Sequence, residues 1–309
     1  MHISVVTPAY RCNECINELY QRLIKTFKTM EINDYEILFV NDGSPNNDWE
    51  VIRRLCQKDE KVKGINLTRN FGQHKAITAG LDFAKGEWVI VMDCDLQDQP
   101  EDIPKLYTKT KEGYNVVLAR RFNRKDHFLK KFFSKSFNIL FSYLIEQKID
   151  NTISNFSIIS RKVINEIIKM RENNRSHVLQ IYWLGFDIAY VDIEHSKRYK
   201  GSSSYNFKKS LNLAIDFSFS QSNKPLKLFV KLGSTISVIS FIYGIYLIIN
   251  YLINKTTLTG WSSIMISMFF IGGLLLSSMG ILGIYVGKIF DEVKSRPIYT
   301  IKELTNINV

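Results

Sequence analysis

Asp93 and Asp95 stand two residues apart where an apolar run, Trp88 to Met92, ends in the stretch WVIVMDCDLQDQPEDIP (88–104). The run has the length and composition of a strand buried on both faces. Beyond the strand ends of an open α/β sheet lies the crevice in which ligands bind. Two hard carboxylates placed there suit Mg²⁺ or Mn²⁺, and such a cation can hold the phosphate oxygens of a ligand. The same acidic turn also suits the start of a helix near Pro104, for which Pro100, Glu101 and Asp102 are apt. A further carboxylate, Asp42, follows the apolar run Glu36 to Asn41 and opens a loop, Asp42-Gly43-Ser44-Pro45. Asp42 could accept hydrogen bonds from a base or a ribose, and Asp93 and Asp95 could take ribose hydroxyls and the cation. Pro8 and Tyr10 could frame a flat ring. Arg69 could counter a phosphate or brace Asp42. Far downstream, His195 to Tyr205 brings cations, a glycine and hydroxyls that could close over a diphosphate.

These side chains need a sheet to hold them on one edge. Strands are expected at Ile3–Thr7, Glu36–Asn41, Val62–Leu67, Trp88–Met92 and Asn115–Ala119, with helices at Glu14–Met30, Asp48–Asp59, Gln73–Ala84 and Asp102–Glu112. In the first helix Ile16, Leu19, Leu23 and Phe27 recur at helical spacing. Strand alternating with helix predicts an α/β fold with a mostly parallel, Rossmann-like sheet. A strand at Thr152–Ile159, helices at Arg161–Met170 and Val178–Leu184, and a strand at Asp187–Val191 follow. Neither GxGxxG nor a Walker-type GK[ST] run is present, so the dinucleotide and P-loop modes are excluded.

The chain has 309 residues, 41 basic against 30 acidic, for a net charge of +11, which suits anionic small molecules or an anionic membrane face. No nucleic-acid module accompanies the charge, so nucleic acid is not an expected partner. Four cysteines, Cys12, Cys15, Cys56 and Cys94, read as reduced thiols. A single CxxC without a second pair does not make a zinc knuckle. The amino terminus opens with a strand-like run, and no signal peptide is expected. The other end differs. Leu232–Ile253 and Ile264–Tyr285 carry no charged side chain and run 22 residues each. That is enough to cross a hydrocarbon core of roughly 30 Å. A short polar link, Asn254 to Gly260, makes them a transmembrane hairpin. Lys224, Lys227 and Lys231 precede the first span, and Lys288, Lys294 and Arg296 follow the second. The basic bias places the large domain and both termini on the cytoplasmic side of the inner (plasma) membrane. Two helices, about 128–145 and 208–225, mix phenylalanines or other apolar residues with lysines and suit a membrane surface. The domain reading is therefore 1–225 for a cytoplasmic α/β domain, 226–290 for two spans and 291–309 for a cytoplasmic tail. A small-residue face, Gly272, Gly273, Gly280, Gly283 and Gly287, could pack a second copy of the chain.

The motifs together carry a resemblance. They are VVTPAY (5–10), VNDGS (40–44), LTRNFGQHKAITAG (67–80), GEWVIVMDCDLQDQPEDIP (86–104), RYKGSSSYNFKKSL (198–211) and GILGIYVGKIFDEVKSRPIY (280–299). The chain resembles family 2 glycosyltransferases of the GT-A type, in the membrane-anchored branch that acts on polyprenyl phosphates. The resemblance covers almost the whole chain. It implies a nucleotide-sugar donor (UDP or GDP), a dolichyl or undecaprenyl phosphate acceptor, inversion at the anomeric carbon and a Mg²⁺ or Mn²⁺ cofactor. It implies Asp42 at the nucleotide, Asp93 and Asp95 as the DxD, with Asp95 the direct metal ligand, and Arg198, Ser203 and Tyr205 around the diphosphate. Two positions depart from the family. Asn155-Phe156-Ser157 stands where Asp-Phe-Arg is usual, and Ser204 stands where a lysine is usual.

A phosphate acceptor tolerates the first departure, because a phosphomonoester with a second pKa of about 6 is already mostly a dianion at neutral pH. Asn155 is then expected to orient the acceptor through its amide, and Lys197, Lys200 or Arg121 to replace the missing lysine's charge. A hydroxyl acceptor would instead want a carboxylate base, for which Asp98 or Glu101 are the candidates. A non-catalytic nucleotide-sugar-binding subunit is the alternative of another class. A chain ending before Lys224 is expected to bind nucleotide but transfer poorly to lipid.

Overall fold

The computed structural model describes residues 2–122, 150, 152–194, 222–254 and 260–307. The chain divides into two compact units: Met1–Ser134, Asp150–Ser204 and Arg296–Val309 form the first, and Lys135–Ile149 with Tyr205–Ser295 the second.

In the first unit the alternating pattern produces β1 (Ile3–Ala9), α1 (Asn13–Thr29), β2 (Tyr35–Asn41), α2 (Asp48–Lys58), β3 (Val62–Leu67), α3 (Gln73–Phe83) and β4 (Trp88–Val91). A 3₁₀ turn at Pro100–Asp102 leads into α4 (Ile103–Lys111) and β5 (Val116–Phe122). Then come β6 (Ile153–Ser160), α5 (Arg161–Lys169), α6 (His177–Leu184) and β7 (Ile188–Glu194). Among the described residues the strands form one eight-stranded sheet in the order β7-β5-β6-β4-β1-β2-β3-β8, where β8 is Ile301–Thr305. β1 pairs in parallel with β2 and β4, β2 with β3, and β5 with β7. β6 runs antiparallel between β4 and β5.

Two consequences position the site. The strand order reverses at β1, which has β2 on one side and β4 on the other, so the crevice of the sheet opens at the carboxyl ends of these strands. Because β6 is antiparallel, its beginning lies on that same edge, and Asn155 comes just before the Val91↔Ser157 pair.

The sheet is covered on both faces, which is why its central strands read as continuous apolar runs. Successive residues alternate sides. Ile3 and Val5 join one core with Ile16, Leu19, Leu23 and Phe27 of α1, and Val6 joins the other with Ala76 and Ile77 of α3. Gly80 lets α3 lie close over β1, since a Cβ there would meet Val6 Cγ1 at 2.2 Å.

Residues 291–309 read from sequence as a tail, whereas the structure adds part of them to the sheet. β8 pairs antiparallel with β3, Gly64 opposite Thr305 and Leu67 opposite Ile301. Ile301 and Leu304 are only part-buried against the second core, and Lys302 and Glu303 lie exposed between them. Five residues with two inward apolar side chains give no strong strand signal, and the partner strand is far away in sequence. β5 also runs three residues past its expected end, carrying Arg120 and Arg121 to the sheet edge.

The second unit's described part is a pair of helices, α7 (Lys224–Asn254) and α8 (Trp261–Val293). Segments Lys224–Ile253 and Ser263–Val293 are long and apolar enough to cross a membrane. Both helices outrun the charge-free stretches, because lysines are good helix formers and extend them into polar ends. Large apolar side chains such as Phe241 and Phe269 are 72% and 79% exposed, an arrangement water would not favour. The surface helix expected at 128–145 and all but the last few residues of the one at 208–225 lie outside the described residues.

Candidate active site

Asp93 follows β4 by two residues, and Met92 is still tied to β1 through its N–H to Val6 O at 3.1 Å. In the turn that follows, the chain alternates. Cys94, Leu96 and Asp98 point inward and are buried, and Asp93, Asp95 and Gln97 are part-exposed. Leu96 adopts φ +59, a left-handed conformation uncommon for a residue with a Cβ, and its buried side chain anchors it there. Asp95 Oδ1 accepts the Gln97 N–H at 3.2 Å, which closes the turn.

Asp93 is held from two sides. The Gln73 amide donates to its Oδ1 at 2.6 Å, and the Asn155 amide faces both oxygens at 3.4 Å. Burial, followed by the neighbouring Asp98 and Asp95 charges, pushes the Asp93 carboxyl up to about 6; the Asn155 hydrogen bond and Arg121 oppose the shift. An aspartate at 155 would add one more negative charge beside Asp93, whereas the asparagine supplies a donor. Asp98 is 0% exposed and is bound by both arms of Arg121 at 3.2 and 3.4 Å. Arg121 is thus engaged by Asp98. Glu101 is bidentate with Arg22, whose hydrogen bond holds its carboxyl below the usual range. Neither Asp98 nor Glu101 is placed as a general base.

Asp42 is buried at the end of β2, and both its oxygens are engaged: Phe71 N–H donates to one at 2.7 Å and Gly72 N–H to the other at 3.0 Å. Burial raises its carboxyl, opposed by those two N–H groups and by Arg69. The carboxylate thereby fixes the 68–72 loop against the Asp42-Gly43 turn. Gly43 is required twice over, because its φ is +59 and a Cβ would lie 2.3 Å from the Arg69 carbonyl carbon. Arg69 is exposed and stacks over Phe71 at 4.1 Å. Pro8 is buried inside β1 opposite Val40, and Tyr10, 41% exposed, carries the Arg11 guanidinium 5.4 Å from its ring centroid. Gly72 and Gln73, at the start of α3, therefore link Asp42 to Asp93. Arg198, Ser203 and Tyr205, with Lys197, Lys200 and Ser204, lie outside the described residues.

Three participants escaped the sequence reading. Gln73 sits in the motif RNFGQ, but only the fold aims its amide at Asp93. His177 is buried and His74 part-buried, their ring centroids 6.4 Å apart, and His177 Nε2 is 3.4 Å from Asn155 O. Burial lowers them to about 3 and about 4, so both are neutral. The four cysteines are free and buried.

No group of three or more His, Cys, Asp or Glu side chains among the described residues forms a self-sufficient metal cage. Asp93 and Asp95 nevertheless fit Mg²⁺ or Mn²⁺, which are commonly held by one or two carboxylates together with substrate phosphates. The crowding that raises Asp93 is also what a divalent cation relieves.

The sequence model of Glycosyl transferase family 2 matches residues 4–168, more than half of the chain and the whole span from β1 into α5. The chain belongs to Glycosyl transferase family 2. Its relatives include the uncharacterised glycosyltransferase YkcC of Bacillus subtilis, 38% identical over 97% of this chain and 93% of that one. The bactoprenol glucosyl transferase of Shigella phage SfII is 36% identical over 98% of both chains. Among solved structures, mannosyl-3-phosphoglycerate synthase from Rubrobacter xylanophilus aligns with TM-score 0.52 at 15% identity over 73% of this chain and 74% of that one. Glucosyl-3-phosphoglycerate synthase from Mycobacterium tuberculosis, in complex with Mn²⁺, UDP-glucose and phosphoglyceric acid, aligns with TM-score 0.51 at 15% identity over 72% and 79%. The family 2 chain is therefore a glycosyltransferase with a GT-A fold. Asp42, Asp93, Asp95 and Asn155 all fall inside the matched segment.

Proposed function

We propose that this family 2 enzyme transfers a monosaccharide, with inversion, from a UDP- or GDP-sugar to the phosphate of a polyprenyl phosphate, undecaprenyl phosphate in a bacterial membrane. The observation that carries the reading is the pair Asp93 and Asp95 on the crevice edge of the sheet, with Asp93 held by Gln73 and Asn155. Full-length similarity to bactoprenol glucosyl transferases supports the acceptor class.

In the reaction a phosphate oxygen of the acceptor attacks the anomeric carbon, and the bond from that carbon to the donor's diphosphate oxygen breaks. The nucleoside diphosphate leaves with the electron pair. No proton must be removed from the acceptor, whose second pKa is about 6. This agrees with a site in which Asp98 and Glu101 are both occupied by arginines. It favours a phosphate over a hydroxyl acceptor. Mg²⁺ or Mn²⁺, when bound by Asp95 and Asp93, supplies Lewis-acid stabilisation of the leaving diphosphate. Asp42 fixes the loop beside the nucleotide, Tyr10 and Arg69 line its path, Pro8 is buried within β1 and only carries the chain to Tyr10, and Asn155 orients Asp93. Arg198, Ser203 and Tyr205 complete the diphosphate site. The two apolar helices anchor the enzyme in the membrane, with the catalytic domain and both termini cytoplasmic, and a homo-oligomer forms through the hairpin.

The test is a panel of UDP- and GDP-sugars offered to the full-length enzyme in nanodiscs containing undecaprenyl phosphate, with Mg²⁺ or Mn²⁺ and mass readout of the lipid. A metal-dependent lipid-phosphate sugar is the expected product. Metal-dependent donor hydrolysis that ignores the lipid, or sugar found on a hydroxyl acceptor, refutes the reading.

A further inference from the structure

β3 delivers the chain into the 68–72 loop, and its outer side is covered only by β8 in the described sheet. Without β8 it would be an edge strand with unpaired backbone groups immediately before that loop. β8 does more than pair with it. The Thr68 N–H, one residue past β3, donates to Thr300 O at 3.0 Å. At the other end of the strand the Asn306 amide caps Cys56 O at 2.6 Å and Val62 O at 2.9 Å. Trp49 Nε1 donates to Glu303 at 2.9 Å, and Tyr299 OH donates to Asp82 at 2.7 Å. On its inner side β3 is locked to β2 by the Asn41 amide, which donates to Asn66 Oδ1 at 2.8 Å. The loop that Asp42 grips through Phe71 and Gly72 is thus steadied by two carboxylate bonds on one side and by the C-terminal strand on the other.

We propose that Tyr299–Asn306 is a positioning element of the donor site. It holds Thr68–Gly72 in the conformation that Asp42 binds, so nucleotide binding requires the segment that follows the second apolar helix. This rests on reading Asp42 and the 68–72 loop as part of the donor site. Because β8 follows both apolar helices in the chain, the donor loop gains this support only after both helices have been made. A chain released early carries the DxD and both helices but not a finished donor site.

The experiment uses the full-length protein in nanodiscs and two readouts. One is hydrogen exchange of peptides covering 66–74, without ligand. The other is the dissociation constant for UDP and for GDP, each with Mn²⁺. The double variant Ile301→Ala/Leu304→Ala loosens β8. Its loop peptide is expected to exchange about tenfold faster while β1 and β4 stay protected, and its nucleotide affinity to fall about tenfold, the scale of one or two lost hydrogen bonds. The conservative pair Ile301→Val/Leu304→Ile is expected to restore both. If the double variant loses protection throughout the sheet, Asn306→Ala is read in the same way, since it removes carbonyl caps and leaves the apolar packing. Unchanged loop exchange, or faster exchange with unchanged nucleotide affinity, overturns the proposal. A parent protein that binds neither nucleotide while β8 still protects the loop refutes the donor-site reading and leaves the mechanical coupling standing.

Discussion

Asp93 and Asp95 are separated by one residue and differ in surroundings. Asp93 is clasped by two side-chain amides and crowded by carboxylates, whereas Asp95 accepts the Gln97 backbone N–H that closes its own turn. Asp95→Asn is expected to lower metal-dependent transfer by at least about a hundredfold in a donor-turnover assay, the scale of losing an electrostatic contact to the leaving group. Asp93→Asn should lower transfer too, but with a stability signature. A carboxyl raised to about 6 from 3.8 binds its proton more tightly in the fold than in the unfolded chain. Stability from this group is full below about pH 4 and is lost as pH rises to about 6. Metal-free Asp93→Asn should therefore melt above the parent at pH 7, by on the order of 1 kcal/mol, with the gap closing near pH 4. The histidines have the opposite sign. His177 and His74, lowered to about 3 and about 4, stay neutral while the unfolded chain takes up protons below 6.5. Their contribution is complete above pH 6.5 and is lost as pH falls toward 4, by up to about 1.4 kcal/mol per pH unit for each ring. Thermal melts of parent and His177→Leu between pH 7 and 5 should show a shallower slope in the variant.

At the scale of elements, the site depends on tight contact between turns. Gly43→Ala forces a Cβ into the Arg69–Asn70 backbone at a positive φ. It should destabilise the protein by about 2 kcal/mol or more and weaken nucleotide binding, as read by melting and by titration with UDP and Mn²⁺. The C-terminal strand changes one expectation drawn from sequence. From sequence, a chain ending before Lys224 is expected to keep nucleotide binding, but such a cut also removes β8 and exposes the β3 edge beside the 68–72 loop. The structure leads instead to a truncated chain that binds UDP with Mn²⁺ at least about tenfold more weakly than the full protein, measured by titration calorimetry.

For the whole molecule the issue is orientation across a bilayer. Lysines and an arginine flank the outer ends of α7 and α8, whereas the link 255–259 holds only Lys255. The four native thiols are all buried, so an introduced cysteine can be read with little background. In intact cells, Thr256→Cys should react with a membrane-impermeant maleimide, and Lys294→Cys should react only after permeabilisation. The reverse pattern would turn the catalytic domain outward and remove it from cytoplasmic donors.

Much of this was readable along the chain. The order and type of β1 to β4 and α1 to α4, the carboxylates at the end of β4, and two apolar helices with basic flanks all follow from periodicity and composition within a few residues, where hydrophobic spacing acts directly. Tertiary structure decided which side chains meet. Asn155 reaches Asp93 only because β6 runs antiparallel to β4, and Gln73 reaches it only because α3 starts at the crevice. Asp98 and Glu101, the candidate bases for a hydroxyl acceptor, are each held by an arginine, Arg121 and Arg22, that only the fold brings to them. β8 escaped because a short strand with two inward apolar residues carries little local signal, and its partner β3 lies on the far side of both apolar helices in sequence. Local pattern sets the kind of element. Strand direction and long-range pairing set who touches whom, and those are settled only by burying the whole sheet at once.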